Sequence, residues 1–231
     1  MTSDLRDLVG SLPAPEQVAG HGSHFRPTWW QRRIKVSVWT DFLVALPEAE
    51  QGRGYRRITR GDVLALGEQD GQDTPAKVLV AAYAWGTGPW GFLVARRSRV
   101  FRDNEPLDIL ARLTDALDRQ AASGPEAAYR SLLRRNENWL QHLGPSFFTK
   151  ALYFGGAGAL ILDRFVAIAL NHIEGWGLST TGPWRSAAEY ERWLRYATAQ
   201  AETSSRIEGR EIRPDAVELA LFRYGRRIAR L

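Results

Sequence analysis

The 231-residue sequence has no cysteine, which excludes disulfides, cysteine-type zinc sites and cysteine-ligated iron–sulfur clusters. A chain of this length can bury a substantial core without such staples. Long apolar runs are also missing: none approaches the roughly 18 residues that a membrane-spanning helix requires, and no signal-peptide pattern is present. A soluble, cytoplasmic protein with no membrane contact is the expectation. Repeats and low-complexity segments are lacking as well. Lysine is scarce, since of 31 basic residues only Lys35, Lys77 and Lys150 are lysines and the rest are arginines.

What is present is positive charge, formally +5, much of it in arginine clusters: Arg96, Arg97, Arg99 and Arg102; Arg130, Arg134 and Arg135; and Arg223, Arg226, Arg227 and Arg230. Such clusters fit the phosphate backbone of a nucleic acid, and equally fit solvated basic faces.

The most informative stretch is Leu143 to Leu170, LGPSFFTKALYFGGAGALILDRFVAIAL, which sets Lys150 and Asp163 in mostly apolar surroundings. Gly144-Pro145-Ser146 reads as a tight turn with Pro at a first helical position, predicting a short helix over Phe147 to Phe154 with Lys150 in its second turn. Gly155, Gly156 and Gly158 end that helix, Ala159 to Leu162 return extended, and Asp163 caps a second helix through Arg164 to Asn171. A chain that otherwise uses arginine keeps a lysine here, where an amine can lose its proton and attack but a guanidinium cannot. Apolar neighbours lower an amine pKa by disfavouring the charged form. The plainer alternatives are a packed lysine and a simple N-cap.

Along the rest of the chain, residues 1–25 read as a flexible N-terminal segment in which His21 and His24 carry no function, and 26–231 as a single domain. Trp29 and Trp30 beside Arg32 and Arg33 suit either a stacking surface or a packed edge. Thr59-Arg60-Gly61-Asp62 is a capping-box start for a helix to Gly67. An apolar helix over Ala76 to Trp85 ends at a Gly-Thr-Gly-Pro turn, where Trp85 could wall a pocket or simply pack. Helices follow over Leu107 to Ala122, from Gly124-Pro125 to about Leu143, over Ser186 to Glu202 and over Asp215 to Arg230, with a loop from Gly175 to Pro183 between the second and third of these. The reading is all-α, with about eight helices and little strand.

Thr149-Lys150, Ile161-Leu162-Asp163 and Glu218-Leu219-Ala220-Leu221-Phe222 together resemble the helix-hairpin-helix DNA glycosylases, in particular the bacterial branch with the 8-oxoguanine glycosylase fold. The resemblance covers roughly residues 55 to 231, with the hairpin and catalytic core at about 126–173. It implies two helical lobes with the active site in the cleft between them. It implies that Lys150 attacks the sugar C1′, that Asp163 assists, and that Glu218, Phe222 and Trp85 hold the flipped base. Gly144 and Ser146 of the hairpin, with Arg96, Arg97 and Arg99, would meet the DNA backbone. Two departures stand out: Pro145, Ser146 and Phe147 fill an interval where many family hairpins have Gly-x-Gly, and Glu218 replaces a Gln.

The function so implied is a bifunctional DNA glycosylase/AP lyase that removes 8-oxoguanine or another modified guanine from double-stranded DNA. It would act as a monomer, with no cofactor and no metal. Two other classes stay open: a non-catalytic DNA-binding hairpin module, and an interaction subunit of an antiviral defence system with partner proteins.

Overall fold

A computed structural model describes residues 5–180 and 186–230. Among the described residues the fold is all-α apart from one antiparallel ribbon, Gly22–Phe25 paired with Arg56–Thr59, in which Gly22 lies opposite Thr59 and Phe25 opposite Arg56. Thr59 then caps the helix Arg60–Gly67: its hydroxyl accepts the Asp62 N–H at 3.1 Å while the Asp62 carboxylate accepts the Thr59 N–H at 2.8 Å. Both halves of the predicted capping box are therefore made. No helix among the described residues is long and apolar enough to cross a membrane.

The helix Thr74–Thr87 is apolar on nearly every face, and its residues from Val78 to Trp85 are all buried. A helix without a polar face belongs inside a core. It packs against both Arg60–Gly67 and the lysine-bearing helix Pro145–Gly155. The aspartate-capped helix Arg164–Glu174 packs in turn on the C-terminal helix Pro214–Ile228.

Two expectations are corrected. The flexible segment over 1–25 is, across its described residues, part of the core: Leu5, Leu12, Val18 and Phe25 are each buried. Arg210 and Arg227 donate to the carbonyls of Leu12 and Leu8 at 2.9 and 3.1 Å, so distant arginines, invisible to local pattern, hold this segment down. The helix starting at Pro125 ends at Leu132 and does not reach Leu143. The backbone turns extended at Leu133, Arg135 and His142 take positive φ, and Asn138 holds the non-helical segment by donating to Ser131 Oγ at 3.1 Å and Asp115 Oδ2 at 2.5 Å. The predicted loop beyond Gly175 lies within the described residues only as far as residue 180.

One contact fixes the two helices that flank the candidate site. A Cβ on Gly225 would lie 1.9 Å from the Phe165 carbonyl oxygen, so only glycine lets the C-terminal helix come this close to Arg164–Glu174. Gly225→Ala is expected to force the pair apart at a cost of about 3 kcal/mol or more, read as a lower urea midpoint with an unchanged slope.

Candidate active site

Lys150 is reached from three directions. Thr149 Oγ1 donates to the Pro145 carbonyl at 2.7 Å and accepts the Leu162 N–H at 3.3 Å, tying the lysine helix to the extended approach to Asp163. Asp163 Oδ1 accepts the N–H groups of Phe165 and Val166 at 2.9 and 3.2 Å, the predicted N-cap, while Oδ2 lies 3.5 Å from Lys150 Nζ. The amine also donates to the Ser146 carbonyl at 2.8 Å. Its stem runs against Gly86, where an added Cβ would come within 3.2 Å of Lys150 Cε, and the rings of Phe147 and Trp85 lie 5.5 and 5.9 Å from Nζ.

Both groups are buried, with Lys150 at 5% exposure and Asp163 at 9%. Burial pulls the Lys150 pKa below its ordinary value, against the opposing pull of Asp163 and Glu218, and the Arg97 guanidinium pushes it the same way as burial. An amine so placed gives up its proton more readily than a surface lysine.

Behind the lysine lies a buried ion pair, Arg60 Nη2 to Glu218 Oε2 at 2.5 Å, with neither side chain more than 1% exposed. The Arg60 guanidinium lies over the rings of Trp85 and Tyr153, each 5.3 Å away. Tyr153 donates to Asp215 at 2.9 Å, and Asp215 is ion-paired with Arg213 at 2.6 Å. The expectation that Glu218 offers its carboxylate to a base edge is thus corrected, because Arg60 already occupies that carboxylate inside the core. Burial pushes the Glu218 carboxyl up to about 7 although Arg60 draws it down.

His21, expected in a solvated tail, is instead half-buried between two of the base-binding candidates. Its ring stands edge-on to Trp85 at 5.3 Å and tilted on Phe222 at 5.5 Å. Its carbonyl accepts both the Trp85 indole N–H and the Arg60 N–H at 3.0 Å. Burial, then the positive charges of Arg60, Arg223 and Arg226, lower its pKa to about 3, so the imidazole is neutral. Trp85 is a wall of the lysine pocket held by its own hydrogen bond. Phe222 is only partly buried, packs on Phe165 at 5.5 Å and borders an open cleft of about 530 Å³.

The candidate backbone contacts divide. Arg96 is exposed at the end of the helix Gly91–Arg97. Arg97 turns inward, donating to the Gly86 carbonyl at 2.8 Å and lying 5.0 Å over Phe147, so its use at a surface phosphate is corrected to bracing the lysine pocket. Arg99 is paired with Asp103 at 3.4 Å. Gly144 is the N-cap of the lysine helix, but Pro145 has no N–H and the Phe147 N–H bonds the Gly144 carbonyl at 2.9 Å. This helix start therefore presents fewer amides to a phosphate than a Gly-x-Gly turn.

Arg60 and His21 are the site residues that local sequence patterns miss. Arg60 sits in a capping box that any polar residue could fill, and its partner lies on the last helix. His21 sits in the segment 1–25, which reads as a flexible N-terminus. Among the described residues no cluster of three or more His, Cys, Asp or Glu could hold a metal ion.

The model of a protein family described as "Putative 8-oxoguanine DNA glycosylase OGG-like protein" matches residues 16–222. No curated protein and no solved structure matches the chain.

Proposed function

Because the chain belongs to this OGG-like DNA glycosylase family, matched over residues 16–222, we propose that it excises a modified guanine from double-stranded DNA through a Schiff base at Lys150. 8-Oxoguanine is the first substrate to test, on the strength of the family. The observation that carries the lysine chemistry is the buried contact of Lys150 Nζ, 2.8 Å from Ser146 O and 3.5 Å from Asp163 Oδ2.

The base leaves a deoxyribose slowly in water, so the site must stabilise positive sugar, supply a nucleophile and hold the base outside the stack. Asp163, with one oxygen fixed by two backbone amides, stabilises the developing oxocarbenium through the other. Unprotonated Lys150 attacks C1′ with its lone pair, the bond from C1′ to the base breaks, and the base leaves with the bonding electrons and acquires a proton. Loss of a proton from nitrogen and opening of the C1′–O4′ bond give the Schiff base. Removal of a C2′ proton then expels the 3′ phosphate by β-elimination, which is the lyase step.

Phe222, at the cleft edge, is the platform for the flipped base. Arg60 balances Glu218, whose unpaired charge would otherwise favour the protonated amine. Arg97 adds to the effect from the other side.

Asp163→Asn separates chemistry from capping, because Asn caps helices about as well as Asp. The variant is expected to keep its melting temperature within a few degrees and to lose about a hundredfold or more in base release, measured by single-turnover cleavage of a labelled 8-oxoguanine duplex. An undiminished rate would remove Asp163 from the mechanism.

A further inference from the structure

The last helix carries a stripe of arginines beyond the pocket. Arg223, Arg226 and Arg227 recur at helical spacing on this helix, and Arg230 follows in the turn just past its C-cap Ala229, so the four form one stripe about 10 Å long. With His21, Gly22 and Phe222 they line the open cleft of about 530 Å³. Arg227 has structural work: it donates to the Leu8 carbonyl at 3.1 Å and lies 5.0 Å over the Tyr224 ring. Arg223, Arg226 and Arg230 are exposed, and among the described residues no carboxylate pairs with them. The sequence from Leu219 to Arg230 contains no acidic residue at all.

Cations near a helix C-terminus complement its dipole, which accounts for a charge in the last turn. It does not account for Arg223, a turn earlier, nor for like charges stacked three and four residues apart, an arrangement that is destabilising until an anion sits against it. The cleft they line also begins at Phe222, the residue assigned to the flipped base.

We propose that this stripe is a phosphodiester site, taking two or three phosphates of a DNA strand that adjoins the nucleotide at Phe222, about one for each exposed arginine. The proposal rests on the glycosylase reading and extends its DNA contact to a helix outside the hairpin. Being sequence-independent, the contact sets affinity and register and leaves base choice to the pocket.

The test is duplex binding as a function of salt, using a labelled duplex with a stable abasic-site analogue. It compares the wild type, Arg223→Gln/Arg226→Gln/Arg230→Gln, and a control, Arg195→Gln/Arg206→Gln, on the exposed face of the helix Ala187–Glu208. The slope of log affinity against log salt should flatten by roughly 2 to 3 in the triple variant, at about 0.9 per lost phosphate contact, and by about one in Arg223→Gln alone. The control should keep the wild-type slope. Steep wild-type binding with an unchanged slope in the triple variant, or equal flattening in the control, would overturn the stripe and leave the glycosylase reading intact. A wild type with no salt-dependent duplex binding would instead sink the DNA reading on which the stripe depends.

Discussion

Lys150→Gln is expected to slow base release by about a thousandfold or more and to abolish strand cleavage without alkali, because it removes the nucleophile on which both steps depend. Gln keeps an amide N–H for the Ser146 carbonyl and roughly the volume of the stem, so folding should survive. The wild-type pH profile carries the complementary signature. Burial shifts Lys150 below an ordinary lysine, so the reactive, neutral fraction grows with rising pH and levels off at a lower pH than a solvated amine would allow. Single-turnover rates across pH read this directly. A wild-type rate that falls with rising pH over that range would mean that the amine is not the group whose deprotonation matters.

Arg60→Ala is the largest expected effect on stability. It leaves Glu218, 1% exposed, without its counter-ion, and removing one partner of a buried pair costs about 3–5 kcal/mol. For a chain of this size that corresponds to a fall in melting temperature of roughly 10 °C. Arg60→Met with Glu218→Met should recover much of the loss, since two apolar side chains can fill the space with no charge buried. A double variant no more stable than Arg60→Ala would place the effect in packing on Trp85 and Tyr153. Glu218 also links stability to pH. Its carboxyl, pushed by burial from 4.5 up to about 7, holds a proton in the folded chain that the unfolded chain releases. Its contribution is therefore complete below about 4.5 and is lost as pH rises through 7.

The two elements around Lys150 and Asp163 were legible because their signals are local. A Gly-Pro turn starts one helix, glycines end it, and an Asp caps the next, all within one stretch. The capping box at Thr59 was readable for the same reason. Where the chemistry depends on residues far apart, the sequence was mute. Glu218 has the spacing of a base-binding residue relative to Phe222, yet its partner is Arg60, brought in by a helix from the other end of the chain. His21 reads as part of a tail because the apolar residues around it show no periodicity, although the strand that follows it, Gly22–Phe25, pairs with Arg56–Thr59 and its own carbonyl bonds Trp85. The helical pattern from Pro125 continues through Trp139 and Leu140, yet the chain leaves the helix at Leu133 and Asn138 bonds back to Ser131 and Asp115, partners that no local pattern shows.

Borohydride trapping tests the central claim most directly. Wild-type protein and Lys150→Gln are incubated with duplexes carrying 8-oxoguanine, undamaged guanine or an abasic site, reduced, and the cross-linked peptide is mapped. Lysine chemistry predicts a covalent adduct on the abasic and modified duplexes, mapped to Lys150 and lost in the variant. A wild type that folds and binds these duplexes but yields no adduct, or an adduct that persists in Lys150→Gln, would contradict the assignment of Lys150 as the nucleophile.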